Sequence, residues 1–123
     1  MFEVSVTMEF AAAHRLNEYT GECSNIHGHT WKVETGIASP SLNEDGMVID
    51  FRDLKSALRS VLDQYDHRYL NEIPPFNEIN PTAENMAREI YGRLKLLLHP
   101  STPTWVRVWE SSSSSALYRE VGL

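Results

Sequence analysis

A single cysteine, Cys23, in 123 residues is the first scarcity of this chain. A lone thiol cannot close an internal disulfide, so a reducing, intracellular setting is expected. Positive charge is short as well: 11 basic against 17 acidic residues leave a formal charge of −6. Proteins that grip a phosphate backbone normally present a basic face, so this balance speaks against nucleic-acid partners. A small anionic substrate would need only a few clustered cations. No run approaches the ~18 apolar residues of a membrane span. The opening MFEVSVTMEF alternates where a secretory leader would be continuously apolar. Internal repeats and domain boundaries are missing, and one domain takes ~100–200 residues. Residues 1–123 are therefore expected to form one soluble, cytoplasmic domain.

What is present falls into two periodicities. Phe2, Val4, Val6, Met8 and Phe10 alternate with polar residues, the period of a half-buried strand. HGHTWKVETGIA alternates again, so that His27, His29, Trp31, Val33, Thr35 and Ile37 share one face. From Asp50, a good N-cap, the spacing of Phe51, Leu54, Leu58, Val61, Leu62 and Tyr65 predicts a helix. Pro74, Pro75 and Pro81 interrupt the chain before a second helix, capped by Thr82 and striped by Ala87, Ile90, Leu94 and Leu98. TWVRVWE and ALYREV read as two further strands, with the serines between them as a polar hairpin connection. The order β-β-α-α-β-β predicts an α+β fold, a four-stranded antiparallel sheet with two helices on one face. With 41% hydrophobic residues the chain can bury a core, although one of modest size that assembly would enlarge.

The chemistry concentrates in GECSNIHGHTWKVE, residues 21–34. Two histidines at i and i+2 on a strand point the same way and can reach one ion together. His14 lies just beyond the first strand, and a hairpin between the first two strands brings it near His27 and His29. Cys23 then has two readings. It is either a fourth ligand that closes a structural site, or a reactive thiol beside a metal with an open position.

FAAAHRL, CSNIHGHTWKV, GMVIDFRDLK, LDQYDHRYLN, NPTAEN and VRVWES occur in the order and approximate spacing of the 6-pyruvoyl-tetrahydropterin synthase family, which the chain resembles from Phe10 to about Tyr118. The resemblance is greatest to the branch that forms 6-carboxy-5,6,7,8-tetrahydropterin in the queuosine and 7-deazapurine pathway. It implies the tunnelling fold and assembly through joined sheets, commonly as a homo-hexamer of two trimers with active sites between subunits. It further implies a Zn2+ ion held by His14, His27 and His29. Cys23 becomes a catalytic proton-transfer residue, paired with Asp66 and His67 of a neighbouring subunit. Glu110 becomes the carboxylate that anchors the pterin ring, with Thr82 and Glu84 lining the ligand pocket.

These residue types suit the implied substrate, 7,8-dihydroneopterin triphosphate, whose adjacent side-chain hydroxyls a zinc ion can bind and acidify. Thiols near a cation and a histidine lose their proton more readily than free ones. A carboxylate behind a histidine orients it and stabilises its protonated form. A glutamate can take two hydrogen bonds from the guanidine-like edge of a pterin.

Three residues, Ser24, Asn25 and Ile26, separate Cys23 from His27. This short gap matches the carboxy-forming branch, whereas pyruvoyl-forming enzymes typically have a longer one. A folate-related branch carries glutamate in place of the cysteine. Gly21, His27, His29 and Glu34 also fit the first cupin motif, but Glu34 has the wrong strand parity, and two consecutive helices do not suit a jelly roll. The non-enzyme rival is a zinc-stabilised assembly module with Cys23 as fourth ligand.

Overall fold

The alternating segments become long strands. The computed structural model describes residues 1–120. In it β1 (Phe2–His14) and β2 (His27–Ser39) pair antiparallel along their whole length. β1 continues past its alternation through Ala11, Ala12 and Ala13, because both of its edges are paired there. β2 lies on one side, and on the other a short β3 (Arg68–Tyr69) runs parallel to it. His14, expected just beyond the strand, is therefore its last residue and stands directly opposite His27.

Helix α1 (Phe51–Leu62) starts where Asp50 accepts a 2.8 Å bond from the Arg52 amide. Its helical spacing, read in the sequence as far as Tyr65, ends at Leu62. Residues 63–67 turn back toward β1 instead, while Tyr65 stays buried. Helix α2 (Ala83–Leu98) follows, then β4 (Trp105–Ser111) and β5 (Ser114–Tyr118). The five serines form the hairpin end, with residues 112–113 as the turn. Val121 of the expected last strand lies outside the described residues.

The sheet runs in the order β3-β1-β2-β4-β5. The α+β fold is as expected, but the sheet has a fifth strand and is mixed. A two-residue strand is too short to leave a periodic signal in sequence. Both helices cover one face: α1 packs on β1, and α2 on β4 and β5. Leu54, Leu58, Val61 and Leu62 of α1, with Met86, Ala87, Ile90 and Leu94 of α2, meet Val6, Phe10, Trp31, Val33, Val106 and Val108 of the sheet. The opposite sheet face carries polar and charged groups, including Glu34, which accepts a 2.9 Å bond from the Ser5 hydroxyl. Gly36 permits a close approach there, since a Cβ at this position would meet the Trp105 indole at 2.6 Å. Among the described residues no helix is long and apolar enough to cross a membrane.

Candidate metal centre and active site

The β1–β2 register fixes the heart of the site. His14 closes β1 opposite His27, and strand parity puts His29 on the same face. The three rings stand edge to face, with centroids 4.5 to 5.0 Å apart. Beneath them Trp31 is fully buried, stacked parallel to Phe10, and its indole N–H donates to the Ala12 carbonyl at 3.3 Å. The histidines therefore stand on a packed aromatic floor, which limits how far they can shift.

Two of the rings are oriented from behind. His14 Nδ1 lies 2.8 Å from the Pro81 carbonyl oxygen, and His27 Nδ1 lies 2.7 Å from that of Asn25. A carbonyl only accepts, so each Nδ1 carries the hydrogen, and each Nε2 of the neutral ring is left with a lone pair. This is how metal-binding imidazoles are commonly held. The Nε2 atoms of His14 and His29 are buried without a hydrogen-bond partner. Burial pushes the pKa of both rings below the ordinary histidine value, against the opposing pull of Glu110. The neutral, metal-binding form is thereby favoured.

Glu110 completes a group able to hold a metal ion. One ligand atom from each of His14, His27, His29 and Glu110 lies within 4.8 Å of all the others. Glu110 reaches this point because it shares strand parity with Val106 and Val108, which face the helices. That parity was legible in the sequence, but the contact with the histidines was not. Nor were the Pro81 and Asn25 carbonyls, since backbone acceptors leave no mark in residue type.

Cys23 lies outside this cluster. It is exposed, in a one-turn 3₁₀ helix (Glu22–Ser24) of the β1–β2 connection. Gly21, at φ 119°, starts that turn in a conformation that L side chains rarely adopt. The Cys23 carbonyl accepts a 2.7 Å bond from the Leu16 amide, which ties the loop back to the end of β1. Cys23 thus lines a cavity of about 240 Å3 together with His14, His27, Thr82, Glu84 and Glu110.

Thr82 and Glu84 enter this cavity from the start of α2. The Thr82 hydroxyl already accepts from the Asn85 amide at 3.1 Å as the N-cap. Thr82→Ala should cost about 1 kcal/mol of stability in chemical denaturation, with Thr82→Ser recovering most of it.

Asp66 and His67 are brought together, but away from Cys23. His67 Nδ1 lies 3.0 Å from Asp66 Oδ1, and the same carboxylate oxygen accepts the Ala11 amide at 2.9 Å. The Ala11 amide above all, with His67 adding, holds the Asp66 carboxyl below the usual carboxylate range. The His67 amide in turn donates to the Ala11 carbonyl. Its φ of 59° is an uncommon left-handed value for a histidine. The ring is 82% exposed and lines a different hollow, with Ala11, Ala13, Gly28, Thr30 and His29, the one member of the histidine cluster that borders it. Arg15, Lys32 and Arg107, the cations near the motifs, do not converge on the metal cavity either. Arg15 bonds Asn17, while Lys32 and Arg107 flank Trp109 on the open sheet face.

The whole arrangement has relatives. The family model for 6-pyruvoyl tetrahydropterin synthase matches residues 3–121. The chain is 35% identical to a 6-carboxy-5,6,7,8-tetrahydropterin synthase of Haemophilus influenzae, over 98% of this chain and 100% of that one. It is 33% identical to the protein of that name from Bacillus subtilis, over 96% and 85%. Among solved structures, 6-pyruvoyl tetrahydropterin synthase of Caenorhabditis elegans superposes with a TM-score of 0.89 at 28% identity, covering 97% of this chain and 95% of that one. Sequence and fold agree, and the chain belongs to the 6-pyruvoyl tetrahydropterin synthase family.

Proposed function

We propose that the chain is a zinc-dependent 6-carboxy-5,6,7,8-tetrahydropterin synthase. It converts 7,8-dihydroneopterin triphosphate and one water to the 6-carboxy product with release of acetaldehyde and triphosphate, in the cytoplasm and on the route to queuosine and other 7-deazapurines. The observation that carries this reading is the set of clustered imidazoles, with Nε2 orphaned at His14 and His29, of which His14 and His27 line a cavity with Cys23. Imidazole and carboxylate donors at this spacing suit zinc. The three-residue gap from Cys23 to His27 and the names of the bacterial relatives favour the carboxy-forming branch.

His14, His27 and His29 hold the zinc, which supplies Lewis acidity to the adjacent hydroxyls of the substrate side chain. Glu110 receives the guanidine-like edge of the pterin ring, a bidentate contact that sets its orientation. Glu84 and Thr82 border the same pocket. Cys23 Sγ takes a proton from the substrate side chain as general base. His67, oriented by Asp66, shuttles protons, and its outward position makes it the contribution of a neighbouring copy. We place the active site between copies of this single domain in a homo-hexamer. A cavity of about 240 Å3 is small for a pterin, and a second wall from a neighbour would enlarge it.

The test is incubation of zinc-loaded protein with 7,8-dihydroneopterin triphosphate and identification of the products by mass. Acetaldehyde together with 6-carboxytetrahydropterin is expected. A 6-pyruvoyl product would move the chain to the sister branch, to which relatives named 6-pyruvoyl tetrahydrobiopterin synthase belong.

A further inference from the structure

Glu110 stands in a place that a pterin anchor alone does not explain. Its Oε1 lies 3.0 Å from His14 Nε2 and 3.5 Å from His29 Nε2. The Pro81 carbonyl already takes the His14 Nδ1 hydrogen, so Nε2 of the neutral ring has only a lone pair. A carboxylate oxygen likewise only accepts. Two acceptors 3.0 Å apart repel each other unless a positive charge lies between them or beside them.

The spacings suit a shared ion. Zinc bonds of about 2.0–2.1 Å in a tetrahedron put neighbouring ligand atoms roughly 3.3 Å apart. The two Glu110 contacts, 3.0 and 3.5 Å, bracket that edge, and all four ligand atoms lie within 4.8 Å of one another. The Glu110 side chain is 36% exposed and borders a second hollow with Ser114, Ser115 and Leu117. The carboxylate therefore has somewhere else to go.

We propose that Glu110 supplies the fourth ligand atom of the metal when no pterin is bound, and releases it to the pterin ring when substrate enters. The proposal rests on the three-histidine metal site above. It assigns Glu110 two successive partners, the cation and then the guanidine-like edge of the ring. Recognition of the ring and opening of a coordination position become one event, because one carboxylate cannot satisfy both. An empty pocket then holds a closed four-ligand site, and a pterin opens it.

Zinc affinity by chelator competition, and the visible spectrum of the cobalt(II)-substituted protein, test this without turnover. Glu110→Gln should weaken zinc binding by about tenfold or more and change the cobalt spectrum. Circular dichroism of this near-isosteric variant and of Glu110→Ala checks that the fold is kept. Pterin itself, the bicyclic base without a side chain, can capture Glu110 without reaching the metal. At saturation it should weaken zinc binding to the wild-type protein and shift its cobalt spectrum in the direction of the Glu110→Gln change. Unchanged zinc affinity and an unchanged cobalt spectrum in folded Glu110→Gln overturn the proposal, as does a wild-type spectrum indifferent to pterin. His27→Ala separates the two levels. If it loses zinc while Glu110→Gln does not, only the role of Glu110 fails; if it binds zinc normally, the three-histidine site fails with it.

Discussion

Cys23→Ala is expected to retain stoichiometric zinc and lose turnover by about 10²–10⁴-fold, the usual contribution of a positioned acid or base. The substitution is structurally mild. Cys23 is exposed, and its tie to β1 runs through its backbone carbonyl, which alanine keeps. Its thiol lies outside the group of ligand atoms formed by His14, His27, His29 and Glu110. Metal analysis and a rate assay on the same preparation therefore separate two readings of the thiol. In a zinc-stabilised assembly module Cys23 would be the fourth ligand, and its removal would loosen the metal. Loss of zinc in Cys23→Ala would falsify the catalytic assignment.

His27→Ala should give the opposite pattern, with zinc lost to a chelator and activity lost with it. Removing an outer-shell partner of a metal ligand typically costs 10–100-fold in affinity, and removing a ligand itself should exceed about 100-fold. The effect is local to the metal. His27 is only half-buried, at the start of β2, and its Nδ1 bond goes to the nearby Asn25 carbonyl. The ladder with β1 is made by the backbone and survives the truncation. His14→Ala is a less clean probe, because that ring is 1% exposed and packs edge-on against Trp31, so its loss leaves a cavity as well. Zinc content by atomic absorption, with circular dichroism to confirm the fold, checks the prediction. A His27→Ala protein that keeps wild-type zinc affinity would remove His27 from the ligand set.

Much of this was legible in residue order. Alternation put His27 and His29 on one face with Trp31, and the antiparallel register did the rest by seating His14 opposite His27. The caps of both helices followed from residue type, with Asp50 and Thr82 each accepting a first-turn amide. The parity of Glu110 with Val106 and Val108, also readable in residue order, turns it to the inner face. What stayed hidden depends on contacts that carry no period. β3 is two residues long and exists because the chain after α1 returns to the free edge of β1. The same return explains why α1 stops at Leu62 although Tyr65 keeps the helical spacing. It also sets the Asp66–His67 pair, through the two hydrogen bonds to Ala11. Side-chain reach is the other blind spot: parity aims Glu110 inward, but only the folded chain brings its carboxylate to His14 and His29.

The separation of Cys23 from His67 makes the account most exposed to test. In one chain His14 and His27 line a cavity with the thiol, and His67 lies in another hollow, which His29 also borders. If each active site draws its thiol from one copy and its Asp66–His67 pair from another, two inactive variants must rescue each other. Co-expressing Cys23→Ala and His67→Ala chains and assaying the mixed assemblies measures this directly. Random mixing should restore about a quarter of wild-type activity, the share of sites that receive an intact thiol and an intact histidine. Mixed assemblies with no more activity than either variant alone would contradict the shared site.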